Sequence, residues 1–160
     1  IVFGVGGVGG YAVETLARSG VGAIDVVDND TFCASNLNRQ ILATEATLGR
    51  YKVDAARERI LSINPDCRVG VHRTFYLPET EGQFDFTQYD YLKVVYSEEK
   101  ARRPLMQEGD DGHGDAVAAQ GGSSRCSVPG SVAFVPSVAG LIMAGEVVRD
   151  LTQGLIPNTD

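Results

Sequence analysis

Nothing in this 160-residue chain is long and apolar enough to suggest a membrane span. Its most hydrophobic stretch, SVAFVPSVAGLIMAG, is broken by Pro136, Ser137 and two glycines, and falls short of the roughly 18 to 20 residues that crossing a bilayer requires. C-x-x-C pairs are absent too. Cys33, Cys67 and Cys126 are odd in number and far apart, which argues against a zinc clasp and predicts reduced thiols in a cytoplasmic protein. Positive charge is scarce: 14 Lys and Arg face 21 Asp and Glu, a net charge of −7. That balance opposes non-specific nucleic-acid binding, so a nucleic-acid partner would need a local basic patch. There is no internal repeat. The opening residues, IVFGVGG, have no basic n-region or cleavage site and are not a signal peptide; they read as the middle of a strand, so the chain is expected to begin late. What remains is ordinary for one soluble domain with its own core, at 43% hydrophobic and 22% charged residues.

IVFG and AIDVVD are short β-branched runs separated by a helix from about Tyr11 to Ser19, whose apolar face is Ala12, Val13, Leu16 and Ala17. Gly20 sits where a helix C-cap favours positive φ. A second helix is predicted from Lys52 to Ile63, with Val53, Ala56, Ile60 and Ile63 inward and Asn64-Pro65 ending it. CRVGVH alternates like a third strand. Further along, LKVVYS (92–97) reads as a strand, 98–130 as a flexible Gly/Ser-rich loop, and SVAFVP as another strand. Ser137 is then placed to cap a helix whose stripe of Val138, Leu141, Ile142, Gly145, Val148 and Leu151 is expected to face the core. Strands alternating with helices indicate an α/β fold, a doubly wound and mainly parallel sheet with a Rossmann-like nucleotide-binding half, forming a single domain over 1–160.

Gly4, Gly6 and Gly9 fit G-x-G-x-x-G between a strand and a helix. Such a loop lets a ligand approach bare backbone at a helix N-terminus, where free N–H groups and the helix dipole attract an anion. Asp28 ends the second strand, placed to accept hydrogen bonds from ribose hydroxyls. To this point NAD and ATP fit equally well. The segment DNDTFCASNLNRQ tips the balance: Asn36 and Arg39 lie just past the ribose acid, and Lys52 opens the next helix. Two cations suit a triphosphate whose leaving group gains charge during attack at the α-phosphate.

The stretches GVGGVGGYAVETLARSGVGAIDVVDND, SNLNRQ and TLGRYKVDAARERILSINP resemble the adenylyltransferase family that includes ubiquitin-activating-like enzymes and the sulfur-carrier activators of molybdopterin and thiamine synthesis. The resemblance implies that Gly4, Gly6, Gly7, Gly9, Asp28, Asp30, Asn36, Arg39 and Lys52 bind ATP with Mg2+, and that Arg39 and Lys52 also serve catalysis. LKVVYSEEKARRP and PGSVAFVPSVAGLIMAGEVVRDL are similar to the tRNA threonylcarbamoyladenosine dehydratase branch, and the lack of C-x-x-C pairs agrees. For that branch the resemblance implies adenylation of a carboxylate on a tRNA-borne threonylcarbamoyl group, then cyclisation from within the same side chain, with tRNA as substrate and no enzyme thiol required. Cys126 is accordingly not read as a nucleophile. Further implications are a homodimer and a sulfur-relay protein partner. The alternative is activation of a ubiquitin-like sulfur carrier at its C-terminus; an NAD-dependent oxidoreductase and a non-catalytic scaffold are the remaining rivals.

Two departures from the family pattern are visible. An N-terminal helix is missing, and FTQYDY runs directly into LKVVYS, where relatives have an aspartate-containing strand end that helps bind magnesium. A central segment near 91–92 is therefore expected to be lacking and the metal ligand is unknown. Asp90, the nearest acid, is not assigned that role, and the chain as it stands is expected to be inactive. His72 and His113 have no partner nearby in sequence and are read as solvated or structural.

Overall fold

A computed structural model describes residues 1–88 and 134–153. In chain order the elements are strand β1 (Val2–Phe3), helix α1 (Gly9–Arg18), strand β2 (Ala23–Val27), helix α2 (Lys52–Ile63), strand β3 (Arg68–His72) and helix α3 (Phe134–Thr152). The strands form one parallel sheet in the order β1-β2-β3. Val2 lies opposite Val26, Ile24 opposite Val69 and Val26 opposite Val71. Because side chains alternate along a strand, these residues share one face. That face packs on Val13, Leu16, Val53, Ala56 and Ile60 of α1 and α2, which is where successive right-handed crossovers put both helices.

The opposite face carries Phe3, Asp25, Gly70 and His72. Phe3 stacks at 5.1 Å from Tyr76 and 5.5 Å from Phe84, centroid to centroid. Nε2 of His72 lies 3.7 Å from Oδ2 of Asp25, so this histidine sits in a partly buried structural setting. The expected strand at 92–97 and loop at 98–130, together with Asp90, His113 and Cys126, lie outside the described residues. Of the other two cysteines, Cys67 is a buried free thiol whose pKa burial pushes up, as suits an inert side chain. Cys33 is partly buried, its Sγ 3.3 Å from the Ser35 hydroxyl.

Helix α1 ends as the sequence predicts. Gly20 N–H donates to the Ala17 carbonyl and Val21 N–H to the Leu16 carbonyl, both at 3.2 Å, a Schellman pair that turns the chain into β2. What ties α1 to α2 is less visible in the sequence. Glu14 is buried on α1 and accepts from Arg59 of α2 at 2.7 and 2.8 Å and from Arg18 at 2.6 and 2.9 Å. The Arg59 hydrogen bond, helped by Arg18, holds the Glu14 carboxyl below its ordinary range although burial opposes this. Its stabilising contribution is therefore complete above the unfolded value of about 4.3 and is lost as pH falls through the lower folded value. Both arginines are about half exposed, so Glu14→Ala is expected to cost only about 1–2 kcal/mol at neutral pH. In urea titrations the gap between wild type and Glu14→Ala should close below about pH 4; a gap independent of pH would contradict this role.

Helix α3 departs from expectation in two ways. It begins at Phe134, so the described end of the SVAFVP segment is helical, and Ser137 lies inside the first turn rather than capping it. Pro136 is compatible with this because the N–H groups of a first helical turn have no intrahelical partner to lose. Second, the buried row is Pro136, Gly140 and Ala144, whereas Val138, Leu141, Ile142 and Leu151 are each about half exposed. Close approach explains the choice. A Cβ on Gly140 would fall 2.4 Å from the Val8 carbonyl oxygen and 2.8 Å from Tyr11 Cβ, so the helices pack nearly backbone to backbone. Only a row of small residues permits that spacing, and it outweighs the larger apolar stripe on the other side.

Candidate functional site

The site lies beyond the C-terminal ends of the strands. After β1 the chain turns at Gly4, with φ of +81°, and Gly4 N–H donates to the Val27 carbonyl at 2.7 Å. Helix α1 then starts so close to this turn that a Cβ on Gly9 would lie 1.7 Å from the Gly4 carbonyl oxygen. No side chain fits there. Val8, the N-cap, makes no side-chain capping bond, and the first turn holds no acidic residue. The chain thus leaves the positive end of the helix dipole without a carboxylate of its own, which favours an external anion.

Asp28, at the end of β2, is 6% exposed and bridges two turns. Its Oδ2 accepts from the Val5 N–H and its Oδ1 from the Asp30 N–H, each at 2.9 Å. Each carboxylate oxygen keeps a further lone pair for a ligand hydroxyl. Asp30 in turn accepts from Lys52 twice: Oδ2 from Nζ at 2.9 Å and the carbonyl from the backbone N–H at 3.0 Å. Lys52 is 7% exposed, and an ammonium that deep needs a charged partner. A continuous run of bonds therefore links the glycine loop through Asp28 and Asp30 to Lys52.

Asn36 is buried and organises the intervening loop: its Oδ1 accepts from the Cys33 N–H at 3.2 Å and its carbonyl from the Gln40 N–H at 2.9 Å. Arg39 lies alongside, its Cγ 3.8 Å from where a Gly7 Cβ would be, while Nη1 donates to the Ser35 carbonyl at 2.7 Å and to Asn38 Oδ1 at 2.9 Å. The structure thus brings Gly4, Gly6, Gly7, Gly9, Asp28, Asp30, Asn36, Arg39 and Lys52 into one neighbourhood. The Arg39 and Lys52 cations are held by protein oxygens.

Two residues escaped the sequence reading. Pro136 of α3 closes on the loop, its Cβ 3.2 Å from the Gly7 Cβ position. Gln40 is buried against Gly6, and its only signal in the sequence is its place one turn after Asn36, directly behind Arg39.

Residues 1–108 match the family model described as the ThiF family. The chain belongs to the ThiF family. Its relatives include the tRNA threonylcarbamoyladenosine dehydratase of Bacillus subtilis (strain 168), 32% identical over 220 positions that cover 96% of this chain and 87% of the relative. The Haemophilus influenzae protein of the same name is 38% identical over 105 residues, covering 66% of this chain but only 40% of the relative. Among solved structures, that of E. coli tRNA N6-threonylcarbamoyladenosine dehydratase, TcdA, in complex with AMP is similar at 44% identity and a TM-score of 0.53, over 55% of this chain and 35% of that one. The same protein in complex with ATP gives a TM-score of 0.52 at 44% identity, over 56% of this chain and 36% of that one. The chain therefore spans about two fifths of the Haemophilus relative and about a third of the E. coli chain. Against the Bacillus relative, 220 aligned positions set beside 160 residues leave at least 60 at which the relative has residues and this chain has none.

Proposed function

We propose that this chain is the nucleotide-binding part of an ATP-dependent adenylating enzyme whose substrate is a carboxylate on tRNA threonylcarbamoyladenosine. The observation that carries the reading is the run of hydrogen bonds from the glycine loop through Asp28 and Asp30 to the buried Lys52. It ties an anion-binding turn to a ribose-type acid and a cation in one rigid unit. In this reading the loop N–H groups and the α1 dipole seat the phosphates, Asp28 accepts from the ribose, and Asn36 keeps the Arg39 turn in place. Lys52 and Arg39 neutralise the charge that grows on pyrophosphate as the substrate carboxylate oxygen bonds to the α-phosphorus and the bridging oxygen departs. The acyl adenylate is then attacked from within the same side chain, releasing AMP.

Support for the substrate comes from the relatives' names and from the AMP and ATP complexes of the E. coli protein. Among the described residues no group of three or more His, Cys, Asp or Glu could hold a metal ion, so Mg2+ would arrive on the nucleotide's phosphates, the usual way this ion is bound in such sites. The alignment with the Bacillus relative leaves at least 60 of its positions without a counterpart in this chain, and the proposal puts the remaining metal ligand among them. No helix among the described residues is long and apolar enough to cross a membrane. The proposal extends to a cytoplasmic homodimer, in which a second subunit would cover the exposed apolar row of α3.

The test is pyrophosphate exchange with ATP by the intact enzyme in the presence of threonylcarbamoyladenosine-modified tRNA, alongside direct ATP binding by the chain. ATP binding with tRNA-dependent exchange supports the reading. Exchange that requires a carrier protein ending in Gly-Gly and ignores tRNA would replace it with carrier activation, and absence of ATP binding would overturn it.

A further inference from the structure

Resting on the nucleotide-site reading, we propose that Pro136 is a positioning residue of that site, and that the seating of α3 on α1 sets how well the glycine loop holds a nucleotide. Gly7 is where α3 meets the site. A Cβ there would stand 3.2 Å from Cβ and 3.4 Å from Cγ of Pro136, and 3.8 Å from Cγ of Arg39. The buried proline ring thus converges on one loop residue with the stem of the cation that the reading sets against the phosphates. A proline suits this task. In a first helical turn it gives up no hydrogen bond, and its closed ring is a wall that has no rotamer entropy to lose.

The contacts behind Pro136 decide whether that wall stays in place. Among the described elements α3 packs chiefly on α1. Gly140 lies against Val8, Tyr11 and Ala12, and further on Val148 and Thr152 face Ser19 to Ala23 across one cavity. The two helices therefore run parallel, with their N-terminal ends together at the loop. At Gly140 the neighbour is the Val8 carbonyl, the backbone that directly follows Gly7, so a rise of α3 withdraws Pro136 and releases both the loop and the Arg39 stem. Linkage makes the effect reciprocal: the factor by which a seated α3 improves nucleotide binding is the factor by which a bound nucleotide holds α3 down.

The test measures ATP and AMP affinity by calorimetry, at a temperature where every variant is fully folded, together with amide hydrogen exchange of residues 147–152 at the far end of α3. Pro136→Ala is expected to weaken both nucleotides about fivefold. A contact that served stability alone would lower the melting temperature and leave these affinities unmoved. In wild type ATP should slow exchange at 147–152 by a similar factor, about fivefold, and in Pro136→Ala it should leave that exchange unchanged. Gly140→Ala, which pushes α3 off by meeting backbone, should weaken ATP at least as much; where it fails to fold, Pro136→Ala decides. Gly145→Ala, on the exposed side with nothing within 4 Å of its Cβ position, should bind ATP as wild type does. Unchanged nucleotide affinity in Pro136→Ala, an equal loss in Gly145→Ala, or exchange at 147–152 indifferent to ATP in wild type would each overturn the inference and leave the nucleotide site standing. Failure of wild type to bind ATP or AMP would overturn both.

Discussion

Replacing Lys52 by alanine is expected to slow AMP formation by the intact enzyme about 100-fold or more and to weaken ATP binding by this chain about tenfold. The expectation follows from where the ammonium is kept. It is buried, and it faces Asp30 across 2.9 Å. Removing it takes away a cation that the proposal sets against the departing pyrophosphate and also frees the Asp30 carboxylate, which in that reading would leave an anion beside the incoming phosphates. Lys52→Met keeps most of the stem and separates lost charge from lost packing; it should match the alanine variant in activity while melting closer to wild type. Asp30→Asn should show a smaller loss, since the neutral amide still accepts from the ammonium but no longer pairs its charge. Pyrophosphate exchange and calorimetry check these together. Undiminished binding and exchange in Lys52→Ala would remove Lys52 from the site.

Gly9→Ala is expected to have the second large effect, about 3 kcal/mol or more of lost stability together with loss of detectable ATP binding. A single methyl group there would meet the Gly4 carbonyl oxygen at 1.7 Å, and backbone cannot swing aside as a flexible side chain can. Either β1 and α1 separate or the loop abandons the shape that presents its N–H groups. Gly22→Ala is the control: nothing lies within 4 Å of its Cβ position and its φ is not in the left-handed region, so a change within about 0.5 kcal/mol is expected. Urea denaturation of the two variants decides. Near-neutral behaviour of Gly9→Ala would mean that the turn is not the tight one described.

The first half of the fold was legible because each of its signals is local. The 3.6-residue period of Val53, Ala56 and Ile60 sets the inner face of α2, Lys52 and Asn64-Pro65 bracket that helix, and Gly20 marks the end of α1. The glycine loop and Asp28 were readable for the same reason, since strand, turn, helix and acid follow in a fixed order. Helix α1 starts two residues before the predicted Tyr11, because glycines that look like loop already carry helical backbone. Reading failed where the deciding partner is distant in sequence. The face of α3 was assigned by hydrophobicity, yet the helix turns Gly140 and Ala144 inward, because α1 offers a surface that only small residues can approach. Nothing near Glu14 announces Arg59, 45 positions away.

Calorimetric titration of the chain with ATP and, separately, with NADH tests the central claim most directly. The account predicts that ATP binds, that Lys52→Ala weakens it about tenfold, and that NADH does not compete. Tight NADH binding with indifference to ATP would contradict it, leaving a Rossmann-like fold whose buried lysine and loop arginine serve some other purpose.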